Sequence, residues 1–494
     1  MRDHIERGGH RATTRAGLPR AAALLLALAS TRADAHAWNI PYYLPVPLWL
    51  YAYAASGTLV VSFMILMFAS GTRIADTRAP LHRSRREWRL PSAALVAAQA
   101  VGAMFVVMLI VAGLAGTQNP FQNLAMSGFW LWFYLGSVYV SAVVGDVYAF
   151  ANPFALLRIA ARCCPTIERG RYRYPHRAAS YPALLAYVVL IALELFGAAR
   201  PRDAGLFLAG YAIYALAGAL CFGRQVWLDH FDAFGVLCRL CARLSPLAWH
   251  RLPTRDVAIV LRNPVTDIAS APPFDTSVVM FLSFMLSSTA YDGLRDTATW
   301  STFFWRGIYP LIVDLFPALK NDYAISGELV RAAQWATFVA VGFAYYGLYR
   351  AFCALGALGT RSAVDGRTFA RQFCLLLLPI AFFYNVCHYF TLFMDQGRQI
   401  FALLSDPLGI GWNLLSLPPA DYSPTSLLLN VAYIWHAQVL LILVGHILSV
   451  YFTHAIAVRN RVLAGTVVGN QLPLLALTIV LTISGLWILS LPLA

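Results

Sequence analysis

The strongest constraint on this chain is a series of ten apolar runs, each long enough to cross a bilayer, separated by loops whose arginine content alternates. The runs lie near residues 47–71, 93–116, 124–147, 180–199, 204–223, 274–294, 329–352, 372–394, 426–453 and 468–491. About 20 apolar residues in helical form span the hydrocarbon core. The chain is therefore expected to be an all-α integral membrane protein. Composition agrees: 59% of 494 residues are hydrophobic and only 12% are charged, whereas soluble domains are closer to a quarter charged.

The net charge of +14 would suggest nucleic acid in a soluble chain. Here the arginines sit between apolar runs and read as topology determinants, so the expected partner is the lipid bilayer and not nucleic acid. Residues 72–92 hold Arg73, Arg78, Arg83, Arg85, Arg86 and Arg89, whereas 117–123 hold no charge. The positive-inside rule places 72–92, 148–179, 224–273, 353–371 and 454–467 in the cytoplasm. A basic segment with Arg11, Arg15 and Arg20, the short apolar run 21–29 and the Ala33-Asp34-Ala35 pattern predict a cleaved signal peptide over 1–35. Cleavage leaves His36 as the new N-terminus of a single polytopic domain, 36–494, with both mature termini periplasmic. The amphipathic segment 225–247 is expected to lie along the inner interface, and Cys238-x-x-Cys241 within it reads as one helix face, since no second cysteine pair completes a zinc site.

Ionisable residues inside apolar runs are costly, so they mark sites, pathways or interhelical contacts. The eighth run carries Asn385, His388 and Asp395. His388 and Asp395 share a helix face and lie about 10 Å apart along the axis. His436 in the ninth run sits roughly 15 Å below the same surface, at a depth matching His388 if the two spans form a hairpin. The sixth run ends in Ser287-Ser288-Thr289-Ala290-Tyr291-Asp292-Gly293, adding a carboxylate at that level, and His36 emerges on the same side. Imidazoles and carboxylates suit zinc and similar divalent metals, so His36, His388 and His436 are candidate metal ligands beside Asp292 and Asp395. The alternative makes the same residues interhelical hydrogen bonds or helix-end anchors. His388 and His436 are also candidate haem ligands. Glu194 is expected to pair with Arg200 or Arg202, and Asp146, Asp229, His230 and Asp232 form an inner cluster of open role.

Several strings carry a family resemblance: AHAWNIPYYLPVPLWLYAYAASGTLVVSF, SSTAYDGL, HYFTLFMDQGRQIFALLSDPLGIGW and GNQLPLLALTIV. In this order, across nearly the whole mature chain, they resemble bacterial polytopic membrane proteins known as fenitrothion hydrolases. The resemblance implies hydrolysis of apolar organophosphorus triesters at the bacterial inner membrane, releasing a nitrophenol and a dialkyl thiophosphate. It carries over no catalytic residue. On this reading the His and Asp set, with a divalent metal, activates water, and Arg398 assists the charge developing at phosphorus. A partner subunit is compatible with it. The rival readings are a transporter or metal-handling protein using the same polar residues as a path, and a haem- or quinone-linked membrane subunit.

Overall fold

The computed structural model describes residues 46–73, 87–197, 200–254, 256–319, 323–359, 364–421, 431–459 and 469–491. The expected signal peptide and His36 lie outside the described residues. Among those residues ten helices are long and apolar enough to cross a membrane, so this is a multi-pass, all-α membrane protein. They are α1 (Leu48–Phe68), α2 (Ser92–Ala115), α3 (Leu124–Val144), α4 (His176–Phe196), α5 (Pro201–Phe222), α6 (Thr276–Arg295), α7 (Ala324–Leu358), α8 (Gly366–His388), α9 (Ala432–Arg459) and α10 (Leu472–Leu489).

Burial sorts these helices. In the most apolar stretch of α6, 83% of residues are buried within the protein, and in α8 78%, against 17–22% for α1, α2 and α7. The first two therefore form the centre and the others face lipid. α6 packs on α4, α7 and α8, and α8 packs on α9. Since lipid is as apolar as a leucine side chain, close packing and buried polar contacts must hold such helices together. The α2–α5 crossing shows the packing component: a Cβ on Gly113 would lie 2.5 Å from the Pro201 carbonyl oxygen and 3.0 Å from Gly205 Cα. The crossing is that tight because both helices present glycine.

At the end of the bundle away from the C-termini of α6 and α8, three short strands form an antiparallel sheet in the order β1–β3–β2. They are β1 (Glu87–Leu90), β2 (Leu247–Arg251) and β3 (Val257–Leu261). Trp88 pairs with Ile259, and Ile259 with Trp249. The sheet is anchored to the helices: Trp249 Nε1 donates to the Val144 carbonyl at 2.7 Å, and Asp256 accepts from the first amide of α2, Ser92 N, at 3.0 Å.

The segment read as an interfacial amphipathic helix behaves differently. It divides into Arg224–His230 and Ala233–Cys241, and in the second helix all but Arg239 are buried. That helix packs into the bundle against α3 and α4. Its polar anchor is Asp232, fully buried, which accepts from Tyr211 Oη at 2.9 Å, Asn152 Nδ2 at 2.9 Å and Tyr148 Oη at 3.5 Å. Burial pushes the Asp232 carboxyl above its ordinary range, against the opposing pull of Tyr211, the Gly235 amide and Asn152. Asp146 instead caps a short helix by accepting from Ala149 N, and Asp229 faces Arg239 at 3.7 Å. Asp146, Asp229 and Asp232 thus make structural contacts. Replacing Asp232 with alanine strands at least one buried donor, and we expect a loss of about 3 kcal/mol, measured as thermal unfolding in detergent. A loss below about 1 kcal/mol would show that the joint does not hold this region.

Candidate functional site

Asp292 sits one turn from the C-terminal end of α6, and His388 ends α8. Both helices run in the same direction beside one another, so their ends fall at one level. His388 Nε2 lies 2.7 Å from Asp292 Oδ2. The helical trajectory breaks immediately afterwards: Tyr389 has φ −89° and ψ 7°, and a new helix begins at Phe390. The break turns the Tyr389 hydroxyl back to donate to the same Asp292 oxygen at 3.1 Å. Arg295, one turn on from Asp292, places Nε 3.5 Å from Asp292 Oδ1 and donates to the Leu195 carbonyl on α4. One carboxylate therefore gathers an imidazole, a phenol and a guanidinium.

The cluster continues onto α4. Glu194 hydrogen-bonds the Tyr389 hydroxyl and interacts electrostatically with Asp292, His388 and Arg295. Its Oε2 is shielded from solvent and has no hydrogen-bond partner. Glu194 also lines a cavity of about 70 Å³, together with Ser127 and Trp130 of α3, Arg200 and Asp203 at the start of α5, and Gln396. The α3 wall of this cavity is unusual, since Ser127–Gly136 follows a π-helical path. Such widened turns recur at functional sites. Trp132 on that stretch donates from Nε1 to the Gly397 carbonyl at 3.0 Å, which fixes the segment after α8 against α3.

Around the charged groups lies a shell of neutral polar contacts. Tyr139 Oη donates to Asn385 Oδ1 at 3.0 Å, and Gln438 Nε2 of α9 donates to the Cys387 carbonyl at 3.2 Å. Tyr187 Oη and Ser288 Oγ lie 3.2 Å apart.

Of the residues singled out in the sequence, the structure brings Asp292 and His388 together. It does not bring His436 to them. Gln438 of α9 faces α8, and two residues earlier on a helix is the other side. His436 is exposed there, its ring 6.3 Å from that of Tyr51 on α1. Asp395 is buried in the helix Phe390–Gln396, with Arg398 3.9 Å away. Burial raises its carboxyl above the usual range against the pull of Arg398. Glu194, expected to pair with Arg200 or Arg202, joins Tyr389 instead. Arg295 and Tyr389 were not singled out, although each is an immediate helical or chain neighbour of a residue that was.

The chain matches no family profile, no curated protein and no solved structure. Chemistry must therefore be argued from the residues themselves. The described residues contain no group of three or more His, Cys, Asp or Glu side chains able to hold a metal. His388 and Asp292 supply two donors already committed to each other, and Tyr389 stands between them and Glu194. This set does not fit a closed divalent site.

What the arrangement provides is a held imidazole. Nε2 is fixed by Asp292, while the side chain keeps 23% of its surface accessible. Ring orientation by a carboxylate is the arrangement that lets the opposite nitrogen act as a base. Asp292→Ala removes the shared acceptor and should cost about 3 kcal/mol, Gln438→Ala about 1 kcal/mol, and His436→Ala under about 0.5 kcal/mol. Thermal unfolding of the three variants checks this ranking, and a His436 effect equal to that of Asp292 would contradict the placement of α9.

Proposed function

We propose that this protein is a membrane-embedded hydrolase of apolar organophosphorus triesters, the activity implied by its resemblance to fenitrothion hydrolases. The observation that carries the chemical part is the Asp292–His388 pair. Asp292 holds Nε2, and Nδ1 takes a proton from water as the water oxygen attacks phosphorus. The P–O bond to the aryl group breaks, and its electron pair leaves with the nitrophenolate. Arg295 holds Asp292 in place and keeps positive charge beside the dyad. Apolar triesters partition into the bilayer, so a base at the end of the central helices meets them at high local concentration. The arginine-rich loops support an orientation in the bacterial inner membrane with this end outward. A metal, if one is bound, would polarise the phosphoryl or thiophosphoryl group, but nothing in the dyad's role depends on it.

A transport reading draws on one specific observation: ionisable groups of α4, α6 and α8 meet across three helices, as they do in membrane proton paths. The haem reading fares differently, because its two axial histidines, His388 and His436, turn toward different helices.

Purified full-length chain in lipid nanodiscs should release nitrophenol from a fenitrothion-type triester. His388→Ala should lower the rate about a hundredfold or more, Asp292→Asn should also lower it strongly, and a chelator should leave the wild-type rate unchanged. Folded protein that releases no nitrophenol, alone or with a co-purifying partner subunit, overturns the proposal. Proteoliposome uptake without turnover would establish transport instead.

A further inference from the structure

A buried base that takes a proton from water must dispose of it before the next turnover. The dyad is enclosed on the α6 side, where Asp292 keeps only 4% of its side-chain surface accessible. Arg295 and Tyr389 touch Asp292 besides His388. Arg295 has protons only to donate and cannot accept another. The Tyr389 hydroxyl can donate one proton while accepting a second, and it contacts both Asp292 and Glu194.

Beyond Tyr389 the chain reaches open space. Glu194 Oε2 has no partner in the protein, an expensive arrangement for a shielded carboxyl oxygen, and the residue lines the cavity of about 70 Å³ between α3, α4 and α5. That volume has room for water, since about 10–15 Å³ of such space is enough for one molecule. The wall includes Ser127 and Gln396 as polar partners for such waters, and the exposed Arg200 beside Asp203 leads on toward the surface. A carboxylate needed only to balance Arg295 would have both oxygens committed. Instead Asp292 and Asp296 already face Arg295, at 3.5 and 3.3 Å.

We propose that Glu194 is the proton outlet of this site, receiving through Tyr389 the proton that His388 takes from water and releasing it into the cavity between α3, α4 and α5. The water proton arrives on Nδ1 of His388 as the Nε2 proton passes to Asp292. Asp292 then returns a proton to the Tyr389 oxygen while Tyr389 gives its own to Glu194. Glu194 releases it to a cavity water; the hydroxyl is restored, and the imidazole, left protonated on Nδ1, regains its Nε2–H form when the partly accessible ring turns over and trades that proton for one from solvent, with no net gain or loss. No electron is transferred; one proton of each water consumed leaves by this route, and the other stays on the P–OH of the diester product. The relay deepens the hydrolase reading and rests on it for its proton source, whereas the exchange of protons between Glu194 and the cavity is observable without turnover.

The test uses full-length protein in nanodiscs. Infrared difference spectra between about pH 5 and about pH 9 should show a protonated-carboxyl band that disappears in Glu194→Gln and shifts its midpoint in Tyr389→Phe. In nitrophenol release, Glu194→Gln should lower kcat about tenfold with KM unchanged, and Glu194→Asp should recover part of the loss. Wild-type kcat in Glu194→Gln overturns the outlet while leaving the hydrolase reading standing. A band insensitive to Glu194→Gln overturns it as well. If the band behaves as expected in protein that hydrolyses nothing, the hydrolase reading falls and Glu194 stands as a proton-exchange site of a transport path.

Discussion

Everything at the core of this bundle depends on the carboxylate of Asp292. In lipid there is no water to solvate an ionisable side chain, so each must find partners in the protein. Asp292 finds three, from its own helix and from α8, and Arg295 extends the contact to the backbone of α4. Because α6 and α8 are the two most enclosed helices, this knot sits where the other spans converge. Apolar packing alone would let such helices slide or rotate against one another at little cost. A hydrogen-bonded cluster with one geometry sets their register and, by the same contacts, orients an imidazole.

The helix break after His388 is part of that constraint. Had α8 continued without interruption, Tyr389 would point about 100° around the axis from His388, away from the shared acceptor. The interruption lets adjacent residues address one carboxylate from two sides. The π-helical stretch in α3 works on the opposite wall, spacing Ser127 and Trp130 around the cavity that Glu194 borders. Irregular backbone in a membrane is tolerated where protein or a water-filled cavity surrounds it, and both irregularities here abut the same cluster.

Much of this was legible in the sequence, and the parts that were not share a cause. Apolar length located all ten spans. Counting residues from the span ends put Asp292 and His388 at one level, because depth follows from a rise of 1.5 Å per residue. Azimuth does not follow from counting. Polar and apolar residues are not segregated to separate faces of α9, so nothing in its pattern marked Gln438 rather than His436 as facing α8. Nor did any pattern announce that α4 lies against α6, and Glu194 therefore read as a surface partner for the nearest arginines in sequence. The segment 225–247 misled for a related reason. Its polar residues look like a solvated face, yet Asp232 is polar because it must accept from Tyr211 and Asn152 inside the bundle.

Asp232 and Glu194 are two buried carboxylates that the protein satisfies to different degrees. Asp232 is surrounded by donors from neutral groups, each of which loses a partner if the carboxylate changes state. A proton arriving there would displace a hydrogen bond that holds two segments together, so the group is locked by its own satisfaction. Glu194 has a hydrogen bond to a hydroxyl able to reverse its direction, one carboxyl oxygen without a hydrogen-bond partner, and a place in the wall of a cavity. A proton can come and go without breaking the fold. Unused hydrogen-bonding capacity in a buried acid costs stability, and the cost is sensible where the acid must change partners. By that criterion Asp232 is a joint, and the proposed chemistry draws on the cluster that joins α4, α6 and α8.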